Sequence, residues 1–140
     1  MYKKRKETNK IVIHCSDTYE HMDIGAKEID LWHKQRGWTG IGYHYVITRD
    51  GRIEFGRPHD TVGAHVKGHN DDSVAVCLVG GKGEDDGSED NFTFAQKYAL
   101  KELLDFMNNV YEHLDIYPHN ELDSNKACPC FDIDEVIALV

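Results

Sequence analysis

An α/β fold, with a central mixed β-sheet flanked by helices, is predicted by three features of the sequence. Residues 10–15 and 73–79 are short β-branched runs with the near-continuous apolar character of strands covered on both faces. Between them, an Asp50-Gly51 pair separates two alternating segments, the pattern of a hairpin. After them, residues 93–114 carry apolar side chains at helical spacing behind a Thr-x-x-Gln capping box.

The elements follow in order. In the first strand Val12 and His14 share one face, while Ile11, Ile13 and Cys15 take the other. The strand ends in the polar loop Ser16-Asp17-Thr18, which places His14 where a strand opens toward solvent. Ile29, Trp32, His33 and Arg36 follow helical spacing, and Gly37 supplies a C-terminal cap. Residues 43–49 and 52–57 form the hairpin, with a two-residue turn in which Asp50 and Gly51 both take positive φ. Alternation puts Tyr43, Tyr45 and Ile47 on one face and His44, Val46 and Thr48 on the other. Residues 56–70 are a loop holding His59, His65 and His69, and residues 80–91, rich in glycine and acid, read as an exposed mobile loop. The long helix shows a stripe of Ala95, Ala99, Leu103, Phe106, Val110 and Leu114, widened by Leu100, Leu104, Met107 and Tyr111. Ile116-Tyr117 forms a short strand, and Asp132 caps a last helix with Ile133, Val136, Ile137 and Val140 on one face.

The chain of 140 residues suits one domain with a real core. Its formal charge of −9 argues against nonspecific binding to nucleic acid or to an anionic membrane. No apolar run approaches the roughly 18 residues of a membrane span. Residues 1–7 are basic with no apolar segment behind them, so they read as a disordered tail rather than a secretory signal, ahead of a domain over residues 8–140. A cytoplasmic chain is expected, and with it free cysteines rather than a disulfide framework. Cys77, inside an apolar run, reads as a small buried hydrophobe.

The stretch 119–130 has neither helical nor strand periodicity, yet it holds His119, Lys126 and Cys128 between Pro118 and Pro129, with Cys130 just beyond. A metal ion is the most economical reason for such a loop to be ordered. Imidazole nitrogen and thiolate are donors that zinc prefers, and a catalytic site needs three of them plus water. The third ligand must come from upstream. Nine histidines offer more candidates than one site needs, and spacing does not choose among them. His14 has the best warrant because it ends a buried strand. His33 reads as a partly buried helix residue, and His21 and His113 as surface residues.

An ordered set of motifs resembles the zinc-dependent N-acetylmuramoyl-L-alanine amidases of the type-2 amidase and peptidoglycan-recognition fold. The matching stretches are Val12-Ile13-His14-Cys15-Ser16, Trp32-His33-Lys34, Gly37-Trp38, Gly42-Tyr43-His44 and Arg49-Asp50-Gly51. They continue with Val62-Gly63, His65, Lys67-Gly68, residues 76–81, Asn91-Phe92-Thr93 and Lys126-Ala127-Cys128-Pro129, then Phe131-Asp132. The resemblance implies Zn²⁺ held by His14, His119 and Cys128, with Tyr43 and Lys126 as catalytic groups and His65 as a substrate contact on the site rim. It implies hydrolysis of the amide between N-acetylmuramic acid and L-alanine in peptidoglycan, in the manner of a phage endolysin that reaches the wall on lysis, by a monomer. Two other roles exist within the family. Some members bind peptidoglycan without cutting it, and in those the cysteine ligand is typically replaced. A phage member also binds an RNA polymerase, a second expected partner to which no residues are assigned here. Cys130 stands where one phage member of the family has serine, and it reads as a bystander.

Overall fold

The computed structural model describes residues 2–139. Its strands are β1 (Lys10–Cys15), β2 (Thr18–Tyr19), β3 (Tyr45–Ile47), β4 (Ile53–Phe55), β5 (Ser73–Leu78), β6 (Gly81–Lys82) and β7 (Asp115–Pro118). Its α-helices are α1 (Ala26–Gln35), α2 (Phe94–Val110), α3 (His119–Leu122) and α4 (Ile133–Ile137). Five strands make one mixed sheet in the order β4-β3-β5-β1-β7. Only the β3–β4 pair is antiparallel; β3–β5, β5–β1 and β1–β7 run parallel. β2 and β6 form a separate parallel pair.

Strand alternation sorts the core. Ile11, Ile13, Val74, Val76 and Leu78 pack with Leu100, Leu103, Leu104 and Met107 of α2 and with Ile133 and Val136 of α4. Val46, Cys77 and Val79 pack on the opposite side with Ile29 of α1 and Ile41. Both faces are thus covered, as the apolar runs require.

Two helix ends are fixed by local bonding. At α1, Gly37 takes φ +89° and donates its N–H to Lys34 O, while Trp38 N–H bonds His33 O. This is the paired bonding of a Schellman cap. At the start of α2, Thr93 Oγ1 accepts from Gln96 N–H at 3.1 Å, and Gln96 Oε1 accepts from Thr93 N–H at 2.9 Å. Gln96 then donates through Nε2 to the carbonyls of Ile47 and Val79. One buried amide both caps the helix and fixes it to the sheet.

Five expectations are corrected. The hairpin loop has three residues, closed by Thr48 N–H to Arg52 O, and only Gly51 has positive φ (+85°). That is the alternative geometry in which a type I turn ends in a glycine bulge. The stripe on α2 is rotated: Gln96, Ala99, Leu100, Leu103, Leu104 and Met107 face inward, while Phe106 and Val110 are 61% and 54% exposed. The loop 80–91 is exposed over residues 84–90 as expected, but it is not structureless: it contains β6, and Lys82 also bridges Ser88. The stretch 119–130 begins with one helical turn, α3. Finally, the basic segment is docked from residue 2 onward rather than disordered. Lys4 bridges Thr61, Val62 N–H bonds Lys3 O, and Arg5 Nη1 donates to the carbonyls of His59 and Thr61 at 2.6 and 2.9 Å. Arg5 finds backbone carbonyls of the 57–62 loop and Lys4 finds the Asp60 carboxylate, partners that composition alone does not reveal. Met1 and Val140, the latter placed above on the last helix, lie outside the described residues.

The register matters most for function. Ile13 of β1 pairs with Pro118 of β7, so the next residues of these parallel strands, His14 and His119, emerge side by side at the carboxyl edge of the sheet. Ligands of open α/β sheets bind at such carboxyl ends.

Candidate metal centre

His14 Nδ1 and His119 Nδ1 lie 3.1 Å apart, in a site where both imidazoles are buried. The donor atoms of His14, His119 and Cys128 all fall within 4.8 Å of one another, although the residues span 115 positions of the chain. Cys128 Sγ accepts the backbone N–H of Cys15 at 2.8 Å, a contact that holds the sulfur against the end of β1. Asn120 N–H bonds Cys128 O at 2.9 Å and ties the thiol-bearing segment to α3.

A hydrogen-bond chain behind His14 fixes which nitrogen faces its neighbours. Ser73 Oγ donates to His69 O at 2.6 Å, since a carbonyl only accepts. Ser73 Oγ must then accept from His65 Nε2–H at 3.0 Å. His65 Nδ1 is left as an acceptor, and His14 Nε2–H donates to it at 2.9 Å. The lone pair of neutral His14 therefore sits on Nδ1, directed at His119. Burial pushes the His14 and His65 pKa values well below the ordinary histidine range and lowers that of His119. Imidazoles kept neutral and held by a partner on the remote nitrogen are the form in which histidine binds metals. Two imidazole nitrogens and a thiol make a donor set suited to a divalent transition metal.

Two adjoining cavities open beside this cluster. One, of about 270 Å³, is lined by Cys15, Tyr43, His119, Lys126, Cys128 and Cys130. The other, of about 260 Å³, shares Tyr43, His119 and Lys126 and adds His65 and Trp38. The Tyr43 ring is 5.0 Å from His14, and desolvation raises its pKa well above the usual value, so the phenol keeps its proton. Lys126 is exposed at the mouth and has no carboxylate partner among the described residues.

Most residues expected at the site meet there: His14, His119, Cys128, Tyr43 and Lys126. His65 is also present, but both of its ring nitrogens are committed, one to His14 and one to Ser73. Its ring also lines the second cavity. His44 points away from Tyr43, accepting Ala75 N–H on Nδ1 and bonding Thr61 O through Nε2. His33 accepts Gly42 N–H on Nδ1 and is buried, while His21 and His113 are exposed. Two contributors were not foreseen. Ser73, read only as the start of a strand, orients His65. Arg36, read as part of a helix stripe, lines both cavities because α1 ends beside the site. The glycine stop at residue 37 was the available signal for Arg36.

Comparison with known proteins agrees with this geometry. A sequence model described as N-acetylmuramoyl-L-alanine amidase matches residues 4–131. An endolysin of Klebsiella phage KP32 is 48% identical over 132 residues, covering 94% of this chain and 87% of the relative. An endolysin of Escherichia phage T7 is 43% identical over the same shares. Among solved structures, the N-acetylmuramoyl-L-alanine amidase LysC from Clostridium intestinale superposes with a TM-score of 0.80 at 32% identity, covering 94% of this chain and 84% of that one. With a matching family model along almost its whole length, the chain belongs to the N-acetylmuramoyl-L-alanine amidases.

Proposed function

We propose that this protein is a zinc-dependent, endolysin-like amidase that hydrolyses the bond between the lactyl group of N-acetylmuramic acid and the L-alanine of the peptidoglycan stem. The observation that carries this reading is the convergence of His14, His119 and Cys128 beside a cavity that also presents Tyr43 and Lys126. Zinc bonds to nitrogen at about 2.0–2.1 Å in a tetrahedral site, which separates two nitrogen ligands by about 3.3 Å. The 3.1 Å between the two Nδ1 atoms fits that span. His14 Nδ1, His119 Nδ1 and Cys128 Sγ would hold the ion. When bound, zinc supplies an activated water near neutral pH and polarises the scissile carbonyl.

The protein's own groups do the rest. His65 and Ser73 keep the His14 lone pair aimed forward. Lys126 places an ammonium at the cavity mouth, where negative charge develops on the carbonyl oxygen as it becomes tetrahedral; one such donor contributes about 3–4 kcal/mol. Tyr43 keeps its proton on Oη and offers a hydrogen bond to the substrate or the attacking water. Because Cys128 is retained, hydrolysis is favoured over binding without cleavage. No helix among the described residues is long and apolar enough to cross a membrane. Synthesis in the cytoplasm and access to the wall at lysis accord with the endolysin reading, and a monomer is sufficient to form the site.

The test is end-group analysis of purified peptidoglycan. The zinc-loaded protein should release new L-alanine amino termini, and chelation should stop the release. Reducing sugar ends without new amino termini would sink the reading.

A further inference from the structure

We propose that Cys15 and Cys130 form a thiol pair that low-molecular-weight disulfides convert to a cystine, stapling the ligand-bearing segment 119–130 to β1. Their sulfurs lie 3.6 Å apart, and both residues line the cavity beside the metal cluster. A disulfide needs about 2.05 Å between sulfurs, so a shift of under 2 Å closes the bond. Two features favour this pairing. Cys15 Sγ rests against Gly81, where a Cβ would come within 2.7 Å of the sulfur, so the bare glycine makes its place. Cys130 follows a turn closed by its own N–H to Ala127 O and takes φ +72°, a left-handed conformation that a cysteine adopts only when its surroundings hold it there. Cys128 lies in the same wall but has other work. Its sulfur accepts the Cys15 N–H and belongs to the metal donor set.

The chemistry is thiol–disulfide exchange. Cys130, the more exposed thiol, attacks one sulfur of a small disulfide such as oxidised glutathione and releases one small thiol. Cys15 then attacks the Cys130 sulfur of the mixed disulfide and expels the second. Two cysteine S–H bonds are lost and one S–S bond forms. Two electrons and two protons pass to the oxidant, which leaves as two thiols. The link joins the strand end that carries His14 to the segment that carries His119 and Cys128, and it consumes neither histidine nor Cys128. Oxidation should therefore brace the metal site rather than dismantle it.

The link is a property of the two thiols, whereas zinc retention rests on the ligand assignment above; the experiment reads them separately. The zinc-loaded full chain is treated with excess oxidised glutathione. Denatured samples are then assayed for free thiols, disulfide position by peptide mass mapping, zinc content and Tm. Free thiols should fall from the four present in the chain to two. The mapped link should be Cys15–Cys130, with zinc retained. For so long a loop, Tm should rise by about 5–15 °C. Cys130→Ser should form no link and show no rise. Four surviving thiols, a persistent glutathione adduct on Cys130, a link that includes Cys128, or an equal Tm rise in Cys130→Ser would overturn the proposal. A protein that links Cys15 to Cys130 but never held zinc would instead contradict the metal assignment alone.

Discussion

At the scale of single residues, His14, His119 and Cys128 would hold the metal, while Lys126 and Tyr43 would act on the substrate. Lys126 is exposed and makes no ion pair among the described residues, so Lys126→Ala should keep its zinc yet lower kcat by about 10²–10³-fold, the usual loss for one oxyanion donor. Steady-state kinetics with zinc analysis checks this; loss of the metal would show that Lys126 has a structural role. His65 acts through His14. His65→Ala should weaken zinc affinity by about 10–100-fold, the range for losing a hydrogen-bond partner of a metal-bound histidine. Chelator competition measures it, and unchanged affinity would show that the chain to Ser73 does not orient His14. These roles were unequally legible in the sequence. His14, Tyr43, Lys126 and Cys128 stand in motif stretches, and His119 stands in the aperiodic stretch 119–130, where residue type marks it as a candidate. The commitment of His65 to His14 could not be read in this way, because it depends on Ser73, eight positions away in sequence, meeting it across a loop.

At the scale of elements, loops are fitted to strands by single glycines and caps. Gly42 precedes Tyr43, and a Cβ there would lie 2.0 Å from Ala64 O, inside van der Waals contact with backbone. Gly42→Ala should push the 61–66 loop outward and shift Tyr43 with it. A stability loss of about 1–3 kcal/mol, the usual cost of overpacking, should appear in urea unfolding together with reduced turnover; wild-type values in both would contradict the packing described. The elements themselves were readable where periodicity was strong. β1, β5 and the Thr93–Gln96 capping box follow directly from residue pattern. The rotated stripe of α2 was not readable, because Phe106 and Val110 are apolar yet exposed, and only the sheet decides which apolar row is covered. The hairpin shows the same limit. An Asp-Gly pair fits a two-residue and a three-residue loop, and the register of Ile47 with Ile53 selects the latter.

At the scale of the whole molecule, parallel pairing of β1 with β7 brings together candidate ligands that lie far apart in sequence. No spacing rule discloses that His14 and His119 are neighbours. The fold also buries neutral histidines away from the candidate metal site. Burial lowers the pKa of His33 and of His44 to about 4, and each has a ring nitrogen that accepts a backbone N–H. Protonation is easier in the unfolded chain, near pH 6.5. Their contribution is therefore complete above pH 6.5 and is lost as pH falls from 6.5 toward 4, on the order of a few kcal/mol in all. Tm of the metal-free protein should fall across that window, and replacing His44 with Gln should flatten the slope. A pH-independent Tm between 6.5 and 4 would contradict the burial of neutral imidazoles. The claim on which the functional account turns is narrower, that Cys128 completes a zinc site on which hydrolysis depends. It is tested most directly by measuring zinc content and release of L-alanine amino termini together in Cys128→Ala. The account expects weakened zinc binding and no detectable hydrolysis in a protein that remains folded; full turnover by zinc-free Cys128→Ala would contradict it.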